Sequence, residues 1–90
     1  MTKDEIELTI RRSINSSGFR FGNHCRDRME TRGVQTQDLV NVLGKGKVSE
    51  IMDLGSGKYK CKVEGEDLEG DPLTVRVGLD GYGVKCITMY

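Results

Sequence analysis

An α+β fold follows from two observations on this chain of 90 residues. Apolar residues recur at helical spacing through the first half, and from about Lys47 onward the period falls to two. Helical segments gathered ahead of a run of strands favour an antiparallel sheet with helices on one side. The reading is therefore of N-terminal helices packed on one face of a four-stranded, mostly antiparallel sheet. A single domain spans residues 1–90, with no repeat, linker or low-complexity segment.

Each element has its own signal. Thr2 and Glu5 form a capping box, in which hydroxyl and carboxylate each satisfy an orphan backbone N–H. Ile6, Ile10 and Ile14 then recur every fourth residue, a narrow apolar stripe that suits either the core or a partner. The stretch "NSSG" ends this helix, with Gly18 available for a left-handed cap. "FRF", Phe19 to Phe21, alternates and reads as a short extended piece. A second helix starts at Asn23 as N-cap and stops at Gly33; Thr36 caps a third, "QDLVNVLG", closed by Gly44. "KVSEIMDL" is an irregular strand. "KYKCKV" is regular, with Tyr59, Cys61 and Val63 on one face and Lys58, Lys60 and Lys62 on the other. "PLTVRVGL" alternates equally well, "DGYG" signals a hairpin, and "VKCITMY" closes the sheet. Strict alternation there places Val84, Cys86, Thr88 and Tyr90 on one face and Lys85, Ile87 and Met89 on the other.

Acids and bases balance at 14 each, so net charge points to no particular partner. Their distribution is uneven: "EGEDLEGD", Glu64 to Asp71, is purely acidic, and the lysines of the preceding strand make that segment basic. No apolar run approaches the roughly 18 residues of a membrane span, and "MTKDEIELTI" is too polar for a secretory signal. Cys25, Cys61 and Cys86 are odd in number and lack CxxC spacing, which argues for reduced thiols rather than a disulfide framework or a zinc site. The expectation is a cytoplasmic protein with no membrane partner, no metal and no cofactor.

The chemistry concentrates in "NHCRDRMETRG", Asn23 to Gly33. Winding it at about 100° per residue sets Arg26, Asp27 and Glu30 on one arc and His24, Cys25, Arg28, Met29 and Arg32 on the other. Arg28 and Arg32 are thus expected to face the protein or the lip of a groove. Two readings fit: their aliphatic stems lie over Met29 with the heads in water, or the two guanidiniums and His24 form an anion site. His24 and Cys25 are adjacent on a helix and point about 100° apart, which argues against a nucleophile pair. Lys58, Lys60, Lys62 and Arg76 form either a solvated sheet face or a surface that tracks a polyanion backbone. If the helices cover the Tyr59–Cys61–Val63 face, these lysines lie opposite them.

With one histidine, paired-histidine nuclease chemistry is out, and no P-loop, GxSxG or HExxH motif occurs. RNA cleavage by its own 2′-OH asks for less: a base, cations for the developing charge, and a proton donor. His24, Arg28, Arg32, Lys60, Arg76 and Tyr90 supply those types.

"HCRDRMETRGV", then "QTQDLVNVLGKGKV", then "VKCITMY" resembles domain-of-unknown-function family 4258. His24, Arg28, Met29, Arg32, Gly33 and Val34 fit its H-x-x-x-R-M-x-x-R-G-[IV] pattern, and Ile87, Thr88 and Tyr90 fit its closing strand. The resemblance covers residues 21–90 and leaves residues 1–20 as an extra N-terminal helix. That family is similar to RelE/ParE-like toxins, so the resemblance implies a RelE-like layout and a bacterial toxin of a toxin–antitoxin pair. It further implies a metal-independent endoribonuclease or translation inhibitor acting on RNA or the ribosome and neutralised by a cognate antitoxin. His24, Arg28, Arg32 and Tyr90 are then the catalytic candidates, and Lys58, Lys60, Lys62 and Arg76 the RNA- and phosphate-binding ones. The competing reading is a non-catalytic binding module of the immunity or adaptor type.

Overall fold

The computed structural model describes residues 1–16 and 18–90; Ser17, in the "NSSG" stretch, lies outside them. Helix α1 (Lys3–Ile14) begins at the capping box: the Glu5 N–H donates to Thr2 Oγ1 at 3.2 Å and the Thr2 N–H to Glu5 Oε1 at 2.9 Å. Ile6 and Ile10 are fully buried and Ile14 half-buried, so the stripe packs internally. After β1 (Phe19–Phe21) come α2 (Asn23–Arg32) and α3 (Thr36–Lys45), then β2 (Lys47–Gly55), β3 (Lys58–Glu66), β4 (Pro72–Asp80) and β5 (Gly83–Met89). No helix among the described residues is long and apolar enough to cross a membrane.

Helix boundaries differ from expectation by a residue or two. Gly22, not Asn23, is the N-cap of α2. Gln35, not Thr36, precedes α3, its N–H donating to Asp38 Oδ2 at 2.9 Å, and α3 runs past Gly44 to a C-cap at Gly46. Gly33 does stop α2. It adopts φ 67°, a conformation costly for any residue with a Cβ, and the following Val34 N–H donates to Met29 O at 2.9 Å.

The four-stranded, mostly antiparallel sheet is overturned. The sheet has five strands in the order β1-β5-β4-β3-β2 and is mixed, because β1 joins parallel to β5, pairing Phe19 with Val84 and Phe21 with Cys86. Backbone bonds extend the pairing at both ends: Val84 N–H to Gly18 O and Gly22 N–H to Cys86 O, each 2.8 Å. Three residues are too few to show alternation, and their partner lies at the far end of the sequence. Gly83 permits the junction: it sits at φ 120°, where a Cβ would collide with the Gly18 carbonyl.

All three helices cover one face of the sheet. Val63 of β3, Val75 and Val77 of β4, and Val84, Cys86 and Met89 of β5 meet Ile6 and Ile10 of α1, Cys25 of α2 and Leu39 and Val42 of α3 in one buried cluster. Each aliphatic side chain so buried contributes about 1.5–3 kcal/mol. Among the described residues the other face carries no helix, so Lys58, Lys60 and Lys62 lie opposite the helical layer, as the conditional reading of the strand required.

Where α3 turns into β2, space is at a minimum. A Cβ on Gly46 would meet Val42 O at 2.6 Å, Glu64 O at 2.7 Å and Val63 Cγ1 at 2.9 Å. Two of these are backbone atoms that cannot step aside. Gly46→Ala is therefore expected to destabilise the fold by about 1–3 kcal/mol, read as a lower denaturant midpoint. An unchanged midpoint would mean that α3 and β3 do not approach so closely in solution.

Candidate active site

Two groups of sequence-flagged residues lie on different layers. Cys25 turns inward, fully buried, and its thiol meets that of Cys86 on β5. The neighbouring His24, Arg28 and Arg32 are exposed. Among the described residues none of the three makes a side-chain hydrogen bond or ion pair, so the expectation that both arginines face the protein is corrected. Helix α2 is held by one small buried side chain, Cys25, with Met29 half-buried beside it. That narrow contact leaves Arg28 and Arg32 in solvent.

The other group gathers on the open face. Cross-strand register aligns Ser49 of β2 with Lys62 of β3, Lys62 with Arg76 of β4, and Arg76 with Thr88 of β5. Adjacent strands lie about 4.8 Å apart, so these four side chains make one row across the sheet. Tyr90 joins them through a bulge. Val77 pairs with Cys86 but Arg76 pairs with Thr88, which leaves Ile87 as an extra residue. Beyond it the alternation is reversed: Met89 enters the core, and Thr88 and Tyr90 belong to the open face rather than the face of Val84 and Cys86. Reciprocal backbone bonds between Thr74 and Tyr90, 2.7 and 2.8 Å, then pin the tyrosine.

Lys62 Nζ lies 5.5 Å from the Tyr90 ring centroid, within the range of a cation–π contact. The nearby cations, Lys62 first and Arg76 second, hold the Tyr90 hydroxyl below the usual tyrosine pKa. On the far side of Lys62, the Glu50 carboxylate bonds its ammonium at 2.5 Å. That contact lowers Glu50 and raises Lys62, so both are charged across the neutral range. Glu50 reaches this position because β2 is irregular between Ser49 and Met52, where Glu50 adopts φ 48°, an uncommon conformation for a residue with a side chain. Glu50, Met52, Lys60, Lys62 and Arg76 surround a small cavity of about 130 Å³, with Cys61 behind it. Burial pushes the Cys61 thiol up to about 11, so it is no nucleophile at neutral pH. Ser49 Oγ and Thr88 Oγ1, at the two ends of the row, are covered and, among the described residues, without hydrogen-bond partners. Lys58 stands apart, near Asp80, which Arg20 engages at 3.1 Å.

The arrangement thus holds three cations, Lys60, Lys62 and Arg76, a tyrosine hydroxyl and a carboxylate on one surface. Among the described residues no three His, Cys, Asp or Glu side chains gather as a metal-ligand set. Sequence reading identified Lys60, Lys62, Arg76 and Tyr90 but not Glu50, Ser49 or Thr88. The failure of alternation in "KVSEIMDL" was the available sign that β2 re-aims one side chain.

Residues 21–90 match the family profile described as a domain of unknown function, DUF4258. The chain belongs to the DUF4258 family. Neither curated proteins nor solved structures give a match. Helix α1 lies outside the matched region, yet it supplies Ile6 and Ile10 to the core of this DUF4258 domain. The matched region contains both groups described above, His24, Arg28 and Arg32 on α2 and Lys62, Arg76 and Tyr90 on the sheet.

The lowered tyrosine is directly measurable. In a spectrophotometric titration of tyrosinate, subtracting the Tyr90→Phe curve should isolate a group that ionises below the ordinary tyrosine range. Lys62→Ala should move that component upward, because the cation favouring the phenolate is gone. A Tyr90 component at the ordinary value would break the proposed contact.

Proposed function

We propose that this DUF4258 domain is an RNA-cleaving toxin whose chemistry resides on the open sheet face. The observation that carries the reading is the grouping of Lys62, Arg76 and Tyr90 on one face, with Lys62 paired to Arg76 across the strands, its ammonium 5.5 Å from the Tyr90 ring, and the Glu50 carboxylate bonded to it. In such a site Glu50, ionised near neutral pH, takes the proton of a ribose 2′-OH. The 2′-oxygen attacks the adjacent phosphorus, and the bond to the 5′-oxygen breaks. Tyr90 gives its proton to that leaving oxygen, while Lys62 and Arg76 stabilise the negative charge that builds on the phosphoryl oxygens. The products are a cyclic phosphate and a 5′-hydroxyl end, and side chains alone supply every proton.

Glu50 is a weak base, and it serves because proximity and the neighbouring cations lower the barrier. Tyr90, shifted toward neutrality, is better matched to proton transfer than an ordinary tyrosine. The family pattern carried by "HCRDRMETRGV", and the likeness of that family to RelE/ParE-like toxins which it implies, supports the biological role, a toxin silenced by an antitoxin. Arg28 and Arg32 are assigned a lesser part, capturing RNA phosphates from outside the reacting centre, and His24 receives no proton-transfer role.

Cleavage of a labelled RNA tests the chemistry. Tyr90→Phe and Arg76→Ala should each lower the rate about 10²–10³-fold. The pH–rate profile should fall on the acid side as Glu50 is protonated and on the alkaline side as Tyr90 loses its proton. Arg76→Ala should move the alkaline limb to higher pH, because Tyr90 then ionises later. Tightly controlled expression in bacteria supplies the biological arm: growth arrest by the wild type and not by Tyr90→Phe. Arrest by both proteins, without cleavage, would favour the non-catalytic binding module instead.

The Arg28→Ala/Arg32→Ala variant separates capture from chemistry. Both side chains are exposed and, among the described residues, unpaired, so stability should change by less than about 0.5 kcal/mol. The kcat should persist while KM rises and the salt dependence of binding weakens. Loss of kcat at unchanged KM would return the chemistry to α2.

A further inference from the structure

Beside the candidate active site the open face carries a second feature. Toward the turn end of the strands, Leu54, Gly78 and Ile87 floor a shallow hollow of about 160 Å³ with Lys58, Lys60 and Lys85 at its rim. Gly78 keeps the floor low, since a Cβ there would meet Ile87 Cδ1 at 3.3 Å. Met52 and Leu54, 56% and 48% exposed, continue the apolar surface along β2. Asp80, the acid at the rim, is already engaged by Arg20 at 3.1 Å.

The loop between β3 and β4, at the opposite end of the same strands, has the complementary chemistry. Leu68 stands 62% exposed, flanked by Glu66, Asp67, Glu69 and Asp71. The loop is preformed: the Asp67 carboxylate accepts the N–H groups of Glu69 and Asp71, both at 2.9 Å, and the Leu68 N–H donates to Asp38 Oδ1 at 3.0 Å. The hollow lies at Lys58–Lys60 and Gly78–Asp80 while the loop begins past Glu66, so about 20 Å of strand at the usual rise separates the two. One molecule cannot satisfy itself.

We infer that the hollow receives the acidic loop of a second copy of this chain, with Leu68 seated over Leu54 and Ile87 and the flanking acids facing Lys58 and Lys85. Charge and apolar character match at once. A nucleic-acid strand fits the hollow less well, because its aliphatic floor offers no ring for a base to stack on. Tyr59, the aromatic at its margin, packs against the core instead. A reciprocal pair, each loop in the other's hollow, would set the Lys62 and Arg76 groups of both copies face to face. The contact is therefore heterologous, head to tail, and is inferred to run on as an open chain of copies rather than a ring; one loop in one hollow makes it weak.

Sedimentation at rising protein concentration and low salt tests the inference without any assay of cleavage. The average mass should climb past that of a dimer without a plateau and fall back when salt is added. Leu68→Ser and Leu54→Ser, both at exposed positions that leave the fold intact, should each remain monomeric. Their mixture should form a dimer that grows no further, since one variant keeps the hollow and the other the loop. Lys58→Glu/Lys85→Glu should weaken association through charge alone. Three results would overturn the inference: a wild type monomeric at several hundred micromolar, a closed dimer, or a mixture that fails to pair. So would a loss of about tenfold in oligouridylate affinity in Leu54→Ser with self-association intact, which would assign the hollow to nucleic acid.

Discussion

One unpaired residue in the last strand decides what the open face of this domain contains. Ile87 interrupts the β4–β5 ladder and exchanges the destinations of the residues after it. In unbroken alternation Tyr90 would enter the apolar core, where its hydroxyl would need a partner, and Met89 would lie on the lysine face. With the bulge, Met89 fills the core completely and Tyr90 reaches Lys62. A bulge beside a functional surface is a recurrent device for re-aiming a side chain. Here it converts a row of like charges into a site with a titratable centre.

The row itself needs explanation, because Lys62 and Arg76 sit directly opposite each other on adjacent strands, and like charges so placed repel. Glu50 supplies the counter-charge, and it does so from an irregular stretch of β2 at positive φ. The positive φ of Glu50 is the conformation that brings its carboxylate to Lys62. The inner face needs no such compensation: its valines and isoleucines pack by volume alone, and Cys25 and Cys86 fill the narrow space where α2 meets β5. Cys86 is held as a neutral thiol by its contact with Cys25 and by burial, so the pair behaves as small apolar groups.

Much of the fold was legible because its signals are local. The Thr2–Glu5 capping box, the left-handed stop at Gly33 and the alternation of β3 and β4 each depend on residues within a few positions of one another. What escaped depends on distant partners. Nothing around Phe19–Phe21 announces a parallel neighbour at Val84–Cys86, and nothing in "VKCITMY" says that its alternation breaks at Ile87. The candidate site divides the same way. Lys60, Lys62 and Arg76 followed from period-two patterning, while Tyr90 was identified with the wrong face. Glu50 was missed because a carboxylate in a strand has no meaning until its neighbour across the sheet is known. Arg28 and Arg32 show the opposite error, since helical winding places side chains around an axis but does not say how wide a face the sheet will cover.

The parallel pairing of β1 with β5 also governs when the domain can assemble. A chain emerging from the ribosome exposes Phe19–Phe21 and α2 early, but the strand that receives them is made about 60 residues later. Until β5 has been synthesised, α2 lacks the Cys86 surface on which Cys25 seats, and the Lys62–Arg76 row lacks its tyrosine. Contacts between such distant segments form late in folding. The open-face site of the nascent chain therefore stays incomplete until β5 has been made, when Tyr90 joins the Lys62–Arg76 row.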